Sequence, residues 1–517
     1  MKAKAIFRKL FCYLFILIPF CFSVSQAMTL KSVTIEAPYE YDAKTDRKVI
    51  NSVVNQYIGQ GITVSLLNNI VSNLNNLYAT YGFIGALALY PYQNASDGNV
   101  TIVIDKLKVL KSRIANDTNI PYKRVYSLLA KARANPASSV NDSSISDHLN
   151  KVKALGAFDV DVVLTPVTSD DLEKAYFLKA DESFYMMDLV AKKKKRINAS
   201  VYYDNHGTNS TGKQRLTALI GSNNLTNNAD RGFIGLNATD KGQFNTVADY
   251  AYLLDESFLY VGANLNYGAY SIKKNYALTD VKGDMSGIEL YLQNIAYSDP
   301  FNMTMIKGGA YFRNIKDKFK SFDIEMKRRN VGSYVGFTHD YHNINRSALF
   351  KTDSRIALSK TDNKDDYSIY SENPYFLLNS NNTFDYFLSD KYSLNLRANI
   401  QLSNKEVDPI DLFNAGGDQA VYAYQSNLAA GDLGLFVSTG ISRHNNDLFN
   451  SKISLELMQS HLKNQHSKKE SFFGVGIKAN LEYKGFFSEI SLSKAVGKHQ
   501  SKARDSISTL VQFGYNY

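Results

Sequence analysis

The sequence predicts a transmembrane β-barrel of about sixteen antiparallel strands, preceded by two small α+β domains. Three observations predict it. The chain ends on a strand whose Ile507, Thr509, Val511, Phe513, Tyr515 and Tyr517 fall on one face, with Ser508, Gln512, Gly514 and Asn516 on the other. From Ile197 to that end, apolar and polar residues alternate with a period of two, as in a strand with one face in lipid and one in water. Residues 29–190 instead run twice through strand, helix, helix, strand, strand.

Residues 1–27 read as a secretory signal. Lys2, Lys4, Arg8 and Lys9 supply its positive segment, residues 10–22 its apolar core, and Ser25-Gln26-Ala27 a small-x-small cleavage site. Phe20 stands where a lipobox before Cys21 requires a small residue. Cleavage would start the mature chain at Met28 and remove both cysteines, Cys12 and Cys21. It would also take away four basic residues, lowering the formal charge from +10 to +6. Neither a disulfide nor thiol chemistry is then expected, and so mild a surplus gives no reason to expect a nucleic-acid partner.

The first small domain is expected over 28–106. Ser32-Val-Thr-Ile35 reads as a strand, and Val49, Ile50, Val53, Val54 and Tyr57 as one helical stripe. Leu66, Leu67, Ile70, Val71, Leu74, Leu77 and Tyr78 form a second stripe that stops at Gly82. Strands at 86–92 and 99–107 follow, joined through Ser96-Asp-Gly98. The second domain, 107–195, repeats the order with a strand at 107–114, helices at 122–133 and 143–155, and strands at 158–164 and 184–190. Units of ~75–80 residues can hold one helix pair against a three-stranded sheet. Such a sheet leaves an open edge to which an extended chain can add. Lys192-Lys-Lys-Lys-Arg196 closes this half. It reads either as a solvated linker or as a basic collar for anionic lipid or an acidic client.

The barrel is expected over 196–517. Tyr392, Leu394, Leu396, Ala398, Ile400 and Leu402 alternate with Ser393, Asn395, Arg397, Asn399 and Gln401. Phe473, Val475, Ile477, Ala479 and Leu481 alternate with Gly474, Gly476, Lys478, Asn480 and Glu482. Turning Arg397 or Lys478 toward mid-bilayer would cost roughly 2–4 kcal/mol, so the register is strongly fixed. At ~20 residues per strand and connection, this half holds about sixteen strands. No run of ~18 apolar residues follows residue 27, so strands and not helices must cross the membrane. The 35 tyrosines and 29 phenylalanines, with no tryptophan, suit the aromatic girdles of a barrel.

Three segments then resemble the outer-membrane transporters of two-partner secretion, the haemolysin secretion/activation type, in which POTRA domains precede a barrel. Tyr78, Tyr81, Gly82, Phe83, Pro91, Gln93 and Gly98 are similar to that family's POTRA signature. Asp204, Asn205, Gly207, Thr211 and Gly212 look like the motif found where its barrel begins. Gly416, Gly417, Val421, Tyr422, Ala423, Tyr424, Gly431, Asp432 and Gly434 resemble its pore-loop motif. The resemblance implies two periplasmic POTRA domains and a loop between strands eleven and twelve, here 404–430, folded into the pore. It implies a non-enzymatic transporter without a cofactor, which carries a large unfolded secreted partner across the outer membrane. Outer-membrane lipid, and the barrel-assembly machinery during biogenesis, would be its other partners. Phe513, Tyr515 and Tyr517 would form the terminal assembly signal.

At the loop tip the chain departs from the family. Tyr422 and Ala423 replace an arginine and a glycine, and the strand expected to hold the arginine's acidic partner reads Leu455-Glu-Leu-Met-Gln-Ser460, without the usual Asp-x-Gly. Losing one member of a buried pair costs ~3–5 kcal/mol, whereas losing both can be nearly neutral. The expectation is therefore a tip with no acidic partner, docked on the wall through the hydroxyls of Tyr422 and Tyr424, and more loosely than by arginine. With cleavage at Met28, the short stretch before the first strand leads to the expectation of no plug helix such as some relatives have.

Other constellations are weaker. Gly207-Thr-Asn-Ser-Thr-Gly-Lys213 matches most of a P-loop, but Gln214 stands where Ser or Thr would bind magnesium and the flanks are strands, so a hairpin turn is expected. His339 and His342 lie three apart on a strand and face opposite ways, which excludes a shared metal. A barrel-assembly insertase would carry more POTRA units. A passive porin or adhesin would not explain the segments at 204–212 and 416–434.

Overall fold

The computed structural model describes residues 28–43, 45–133, 138–139, 142–167, 184–254, 256–272, 280–426, 428–446, 449–464, 469–499 and 505–517. The expected signal lies outside them. The chain divides into two compact units, one of residues up to Ala79 with Ala86–Lys106, the other of Thr80–Gly85 with Leu107–Tyr517.

In the first unit, β1 (Ser32–Glu36), β2 (Ala86–Leu89) and β3 (Asn99–Lys106) form a sheet in the order β1-β3-β2. β1 runs parallel and β2 antiparallel to β3. A short α1 (Tyr39–Asp42), not foreseen, precedes α2 (Arg47–Asn55) and α3 (Val64–Thr80). The Asp46 carboxylate caps α2 by accepting from Lys48 N. Ile50 and Val54 of α2 and Leu66, Ile70 and Leu74 of α3 are buried, as are Val100, Ile102 and Ile104 of the sheet. β2 stops at Leu89, not at the expected Tyr92. Pro91 has no N–H for a ladder, and the Gln93 amide takes the strand's place, donating to Thr101 O at 2.7 Å and accepting from Thr101 N at 2.7 Å.

The second unit holds the other small domain and the barrel. β4 (Lys108–Asp117), β5 (Ser138–Ser139), β6 (Phe158–Pro166) and β7 (Phe184–Lys193) form a sheet in the order β5-β4-β7-β6. The two-residue β5 makes it four-stranded, where three strands were expected. α4 (Tyr122–Leu129), continued by a 3₁₀ turn, and α5 (Asp142–Ala154) pack on it through Val125, Leu128, Leu129 and Val152.

Sixteen antiparallel strands close the barrel, from Ile197–Asp204 to Ser508–Asn516. The first and sixteenth meet over five pairs, from Ser200↔Asn516 to Asp204↔Gln512, the shortest ladder in the barrel. Val201, Ile220, Leu236, Leu265, Leu290, Val335 and Ile356 lie exposed on the outer face. Arg397, Lys478, Glu289 and Lys307 pair with other charges on the inner face. Leu510, absent from the expected pattern of the last strand, faces inward and is buried.

The tyrosines are divided between two roles. Tyr250, Tyr267, Tyr386 and Tyr515 are exposed outside, as a girdle requires. Tyr291, Tyr311 and Tyr334 instead lie buried on the inner wall. Each sits directly opposite a glycine of the neighbouring strand: Tyr291↔Gly262, Tyr311↔Gly332 and Tyr334↔Gly309. A Cβ at Gly262 or Gly332 would lie 2.3 or 2.5 Å from the facing ring, so only glycine lets the ring lie against the backbone.

The second small domain meets the barrel rim at which the chain enters. Arg124 donates to the carbonyls of Asn228 and Leu253, Lys151 to Ala296 O at 3.1 Å, and the His148 ring packs 5.2 Å from Phe258. The basic collar is engaged within the protein. Lys192 and Lys194 pair with Asp161 and Asp159, Lys195 lies 4.5 Å from the Tyr517 ring, and Arg196 donates to Leu225 O.

Candidate functional site: the lumen and its inserted loop

The connection between the eleventh strand (Tyr392–Ser403) and the twelfth (Leu433–Asn446) leaves the far rim and folds back into the lumen. Asp432 ties its two ends, accepting from Val407 N at 2.9 Å while its carbonyl accepts from Gln401. Asp408 caps a 3₁₀ turn, Pro409–Asp411. Phe413–Asn414 then pairs with Ala430–Gly431. Gly434 makes room for this hairpin, since a Cβ there would lie 2.2 Å from the Phe413 ring.

Two glycines shape the turn into the tip. A Cβ at Gly416 would meet Gln425 O at 2.3 Å, and Gly417 has φ +99°. Val421, Tyr422, Ala423 and Tyr424 follow, each no more than 1 % exposed. They pack on Phe436, Met458, Leu462, Phe472, Ala495 and Leu510, from strands twelve to sixteen. Ser508 Oγ donates to Ala423 O at 3.0 Å. The wall is made flat for the tip by Gly474 and Gly476. Ideal Cβ atoms there would come within 2.8 Å of Val421 Cγ1 and 2.2 Å of Tyr422 Oη.

The expected phenol anchors are half present. Tyr424 Oη donates to Phe473 O at 3.3 Å, and its ring meets Phe472 edge-on at 5.2 Å. Tyr422 Oη is buried with no hydrogen-bond partner among the described residues. An acid does stand on the strand expected to lack one, but it is not the tip's partner. Glu456, on the strand that lacks Asp-x-Gly, faces this region and pairs with Arg397 of the eleventh strand at 3.4 Å. Lys478, whose Nζ lies 5.3 Å from the Tyr422 ring, pairs with Glu489. The wall thus neutralises its own charges, and Tyr422 fills the space beside them.

Ion pairs hold other parts of the loop. Arg328 bridges Asp408 (3.0 Å) and Asp317 (2.9 Å), and Arg313 binds Asp411 at 2.8 Å. Arg215 reaches Asp418 at 3.4 Å and Asp204 at 2.7 Å. Sequence reasoning missed these arginines. Their inward parity was readable, but their partners in the loop lie 80, 98 and 203 residues away for Arg328, Arg313 and Arg215.

The segment where the barrel begins lies at the far end of the first strand and reaches the same loop. Buried Asp204 accepts from His206 N and Arg215 Nε, and His206 Nδ1 lies 3.5 Å from Asp418. Asn205 extends the short closing ladder, accepting from Val511 N at 2.8 Å and donating to Thr509 O at 3.1 Å. A Cβ at Gly207 would meet Gly212 O at 2.0 Å, and Gly212 has φ +119°. Thr211 completes this hairpin turn through Thr208 and Thr239, so the P-loop-like stretch is a turn between two barrel strands.

The POTRA-like residues are structural. Tyr78 packs on Tyr41 in the first unit, and Gln93 and Gly98 (φ +85°) fix the approach to β3. Pro91 ends β2. In the second unit, Tyr81 meets Phe301 edge-on, Phe83 is buried, and Gly82 has φ +87°. On the last strand, Phe513, Tyr515 and Tyr517 face outward beside Tyr203, Phe486 and Lys195.

The model of the haemolysin secretion/activation protein family ShlB/FhaC/HecB matches residues 186–473, more than half of the chain. That of the ShlB-type POTRA domain matches residues 39–105. The chain is 22% identical over 473 residues to the heme/hemopexin transporter protein HuxB of Haemophilus influenzae, covering 90% of this chain and 81% of HuxB. It is 20% identical over 337 residues to the outer membrane transporter CdiB of Escherichia coli, covering 62% and 51%. Among solved structures, CdiB from Escherichia coli matches with a TM-score of 0.65 at 14% identity, over 97% of this chain and 93% of that one. BamA from Haemophilus ducreyi, lacking POTRA domains 1–3, matches at 0.56 and 14% identity, over 95% and 100%. These structures share the fold, and the sequence match extends further: this chain belongs to the haemolysin secretion/activation protein family of outer-membrane transporters.

Proposed function

We propose that this transporter exports one large secreted partner protein, as an unfolded chain, through the lumen of its barrel. Residues 28–106 and 107–195 act as periplasmic POTRA domains, and 196–517 as the pore. The observation that carries the reading is the loop at 404–430, folded back into a polar lumen and buried at its tip. A wide passive pore has no need of such a tip, whereas a conduit for an extended chain must be closed between clients. The POTRA sheets leave β2 and β6 at their edges, where an incoming strand would gain backbone hydrogen bonds and side-chain pockets. No nucleotide site drives the step in this reading; folding outside the cell biases its direction. Phe513, Tyr515 and Tyr517 serve as the signal read by the barrel-assembly machinery.

The test is export of the secreted partner encoded beside this gene, from cells carrying wild-type transporter, a deletion of residues 28–190, or no transporter. Export by the wild type alone supports the reading. Export after deletion of 28–190 would make the barrel a pore of another kind.

A further inference from the structure

We infer that Arg313 and Arg328 hold the first limb of the inserted loop, residues 404–415, as a fixed post, so that opening the lumen moves only the segment beyond it. The inference rests on the reading of 404–430 as the pore loop. The two halves of that loop are held by different chemistry. In the first limb, Asp408 is buried and both its oxygens are used: Arg328 Nε reaches both, Thr361 Oγ1 donates to Oδ2 at 2.9 Å and Ile410 N to Oδ1 at 3.0 Å. Asp411 likewise receives Arg313 on Oδ1 at 2.8 Å and Tyr375 Oη on Oδ2 at 2.7 Å. Arg328 is itself tied to Asp317 of the wall. Charged hydrogen bonds shielded from water are the stronger kind, and withdrawal of the limb would strip buried Arg328 of Asp408 and Arg313 of Asp411, leaving the wall's cations short of their counter-charges.

Beyond Gly416 and Gly417 the attachment changes. Apart from Asp418, which stands 3.4 Å from Arg215 and 3.5 Å from His206 and is partly exposed, the tip is held by apolar packing and by neutral hydrogen bonds. These run from Tyr424 Oη to Phe473 O at 3.3 Å, Ser508 Oγ to Ala423 O at 3.0 Å, Asn399 Nδ2 to Gln419 O at 3.1 Å and Asn209 N to Gln425 Oε1 at 3.2 Å. Apolar packing can be exchanged for contact with a client's own side chains without stranding a charge. The left-handed backbone at Gly417 supplies the articulation between the halves.

Spin labels can read the two halves separately. Neither described half of the loop contains a cysteine, and Cys12 and Cys21 can be replaced by serine. Distances are measured in the full chain between a reference label at Ser321→Cys, on the far rim, and labels at Glu406→Cys or Gln419→Cys. Both distributions should be narrow in the parent. Tyr424→Ala should broaden the 419 distribution and leave 406 unchanged. Arg313→Gln with Arg328→Gln should broaden 406, and Arg313→Lys with Arg328→Lys should recover much of the narrow peak. Asp411→Asn gives a second route to 406 if the arginine pair fails to assemble. Broadening at 406 in Tyr424→Ala, or an unchanged 406 in Arg313→Gln/Arg328→Gln and in Asp411→Asn, would overturn the inference. The labels report motion without a client. No export of the partner by the wild-type transporter, with the halves still separable by their labels, would therefore fault the proposed function and leave the inference standing.

Discussion

A single methyl group at Gly476 should dislodge the loop tip without touching the loop. The Cβ of Gly476→Ala would sit 2.2 Å from Tyr422 Oη, 2.7 Å from its Cζ and 2.9 Å from Cε2. The backbone of the fourteenth strand is held by ladders on both sides, so the ring must yield. Expelling it forfeits burial worth roughly 1.5–3 kcal/mol. Returning its unpartnered hydroxyl to water recovers about 1 kcal/mol. The net cost of about 0.5–2 kcal/mol shifts the balance of docked to undocked tips by roughly 2- to 30-fold. Tyr422→Phe should act in the opposite direction. It removes a buried hydroxyl with no partner among the described residues, and should steady the docked tip by up to about 1 kcal/mol. Planar-bilayer recordings read this as open probability: higher in Gly476→Ala, equal or lower in Tyr422→Phe, and intermediate when the two are combined. Heat-modifiable gel migration verifies that each barrel has assembled. Parent-like openings in Gly476→Ala, or frequent openings in Tyr422→Phe, would refute the docking geometry.

Three further outcomes are expected. Deleting residues 513–517 removes four of the five pairs that close the barrel, so the yield of heat-modifiable barrel should collapse while the POTRA domains remain protease-resistant. Gln93→Ala leaves Thr101 N and O without their side-chain partner and should destabilise the first domain by about 1–3 kcal/mol, seen as lost hydrogen-exchange protection at Thr101 in the full chain. His148 is held below its ordinary pKa of 6.5, first by burial and then by Lys131 and Lys151. The folded domain therefore resists a proton that the unfolded chain accepts. The stability is complete above pH 6.5 and falls as the pH drops toward the folded value. The unfolding temperature of the second domain should decline from pH 7 to pH 5, and His148→Gln should flatten that slope.

Much of this architecture was legible because a strand's period of two is unforgiving. Arg397 and Lys478 could only face water, and that fixed whole strands. The family motifs located the inserted loop, and the alternation had already put Gly474 and Gly476 on the inner face. What stayed hidden depended on partners across the barrel. Glu456 was read as belonging to a strand without the usual acid, because nothing local shows that Arg397 neutralises it. The inward Leu510 was passed over, since its value comes from a loop tip eighty-odd residues earlier. The tyrosine–glycine joints did leave a trace. Gly309-Ala-Tyr311 and Gly332-Ser-Tyr334 are the same triplet on adjacent antiparallel strands, so a register of Gly309 against Tyr334 also sets Tyr311 against Gly332.

The most direct test of the central claim is a reversible lock between the tip and the wall. An ideal Cβ at Gly474 lies 3.5 Å from Ala423 Cβ, within the Cβ separations of a disulfide, about 3.5–4.5 Å. In a background without Cys12 and Cys21 and with Val421→Ala to clear the 2.8 Å approach of that Cβ to Val421 Cγ1, Gly474→Cys with Ala423→Cys should form the bond on oxidation, and the barrel should still migrate as a heat-modifiable species. The account predicts that export of the secreted partner stops when the bond is formed and resumes on reduction, while each single cysteine variant exports in both conditions. Export at the parental rate through a fully oxidised double variant would contradict it.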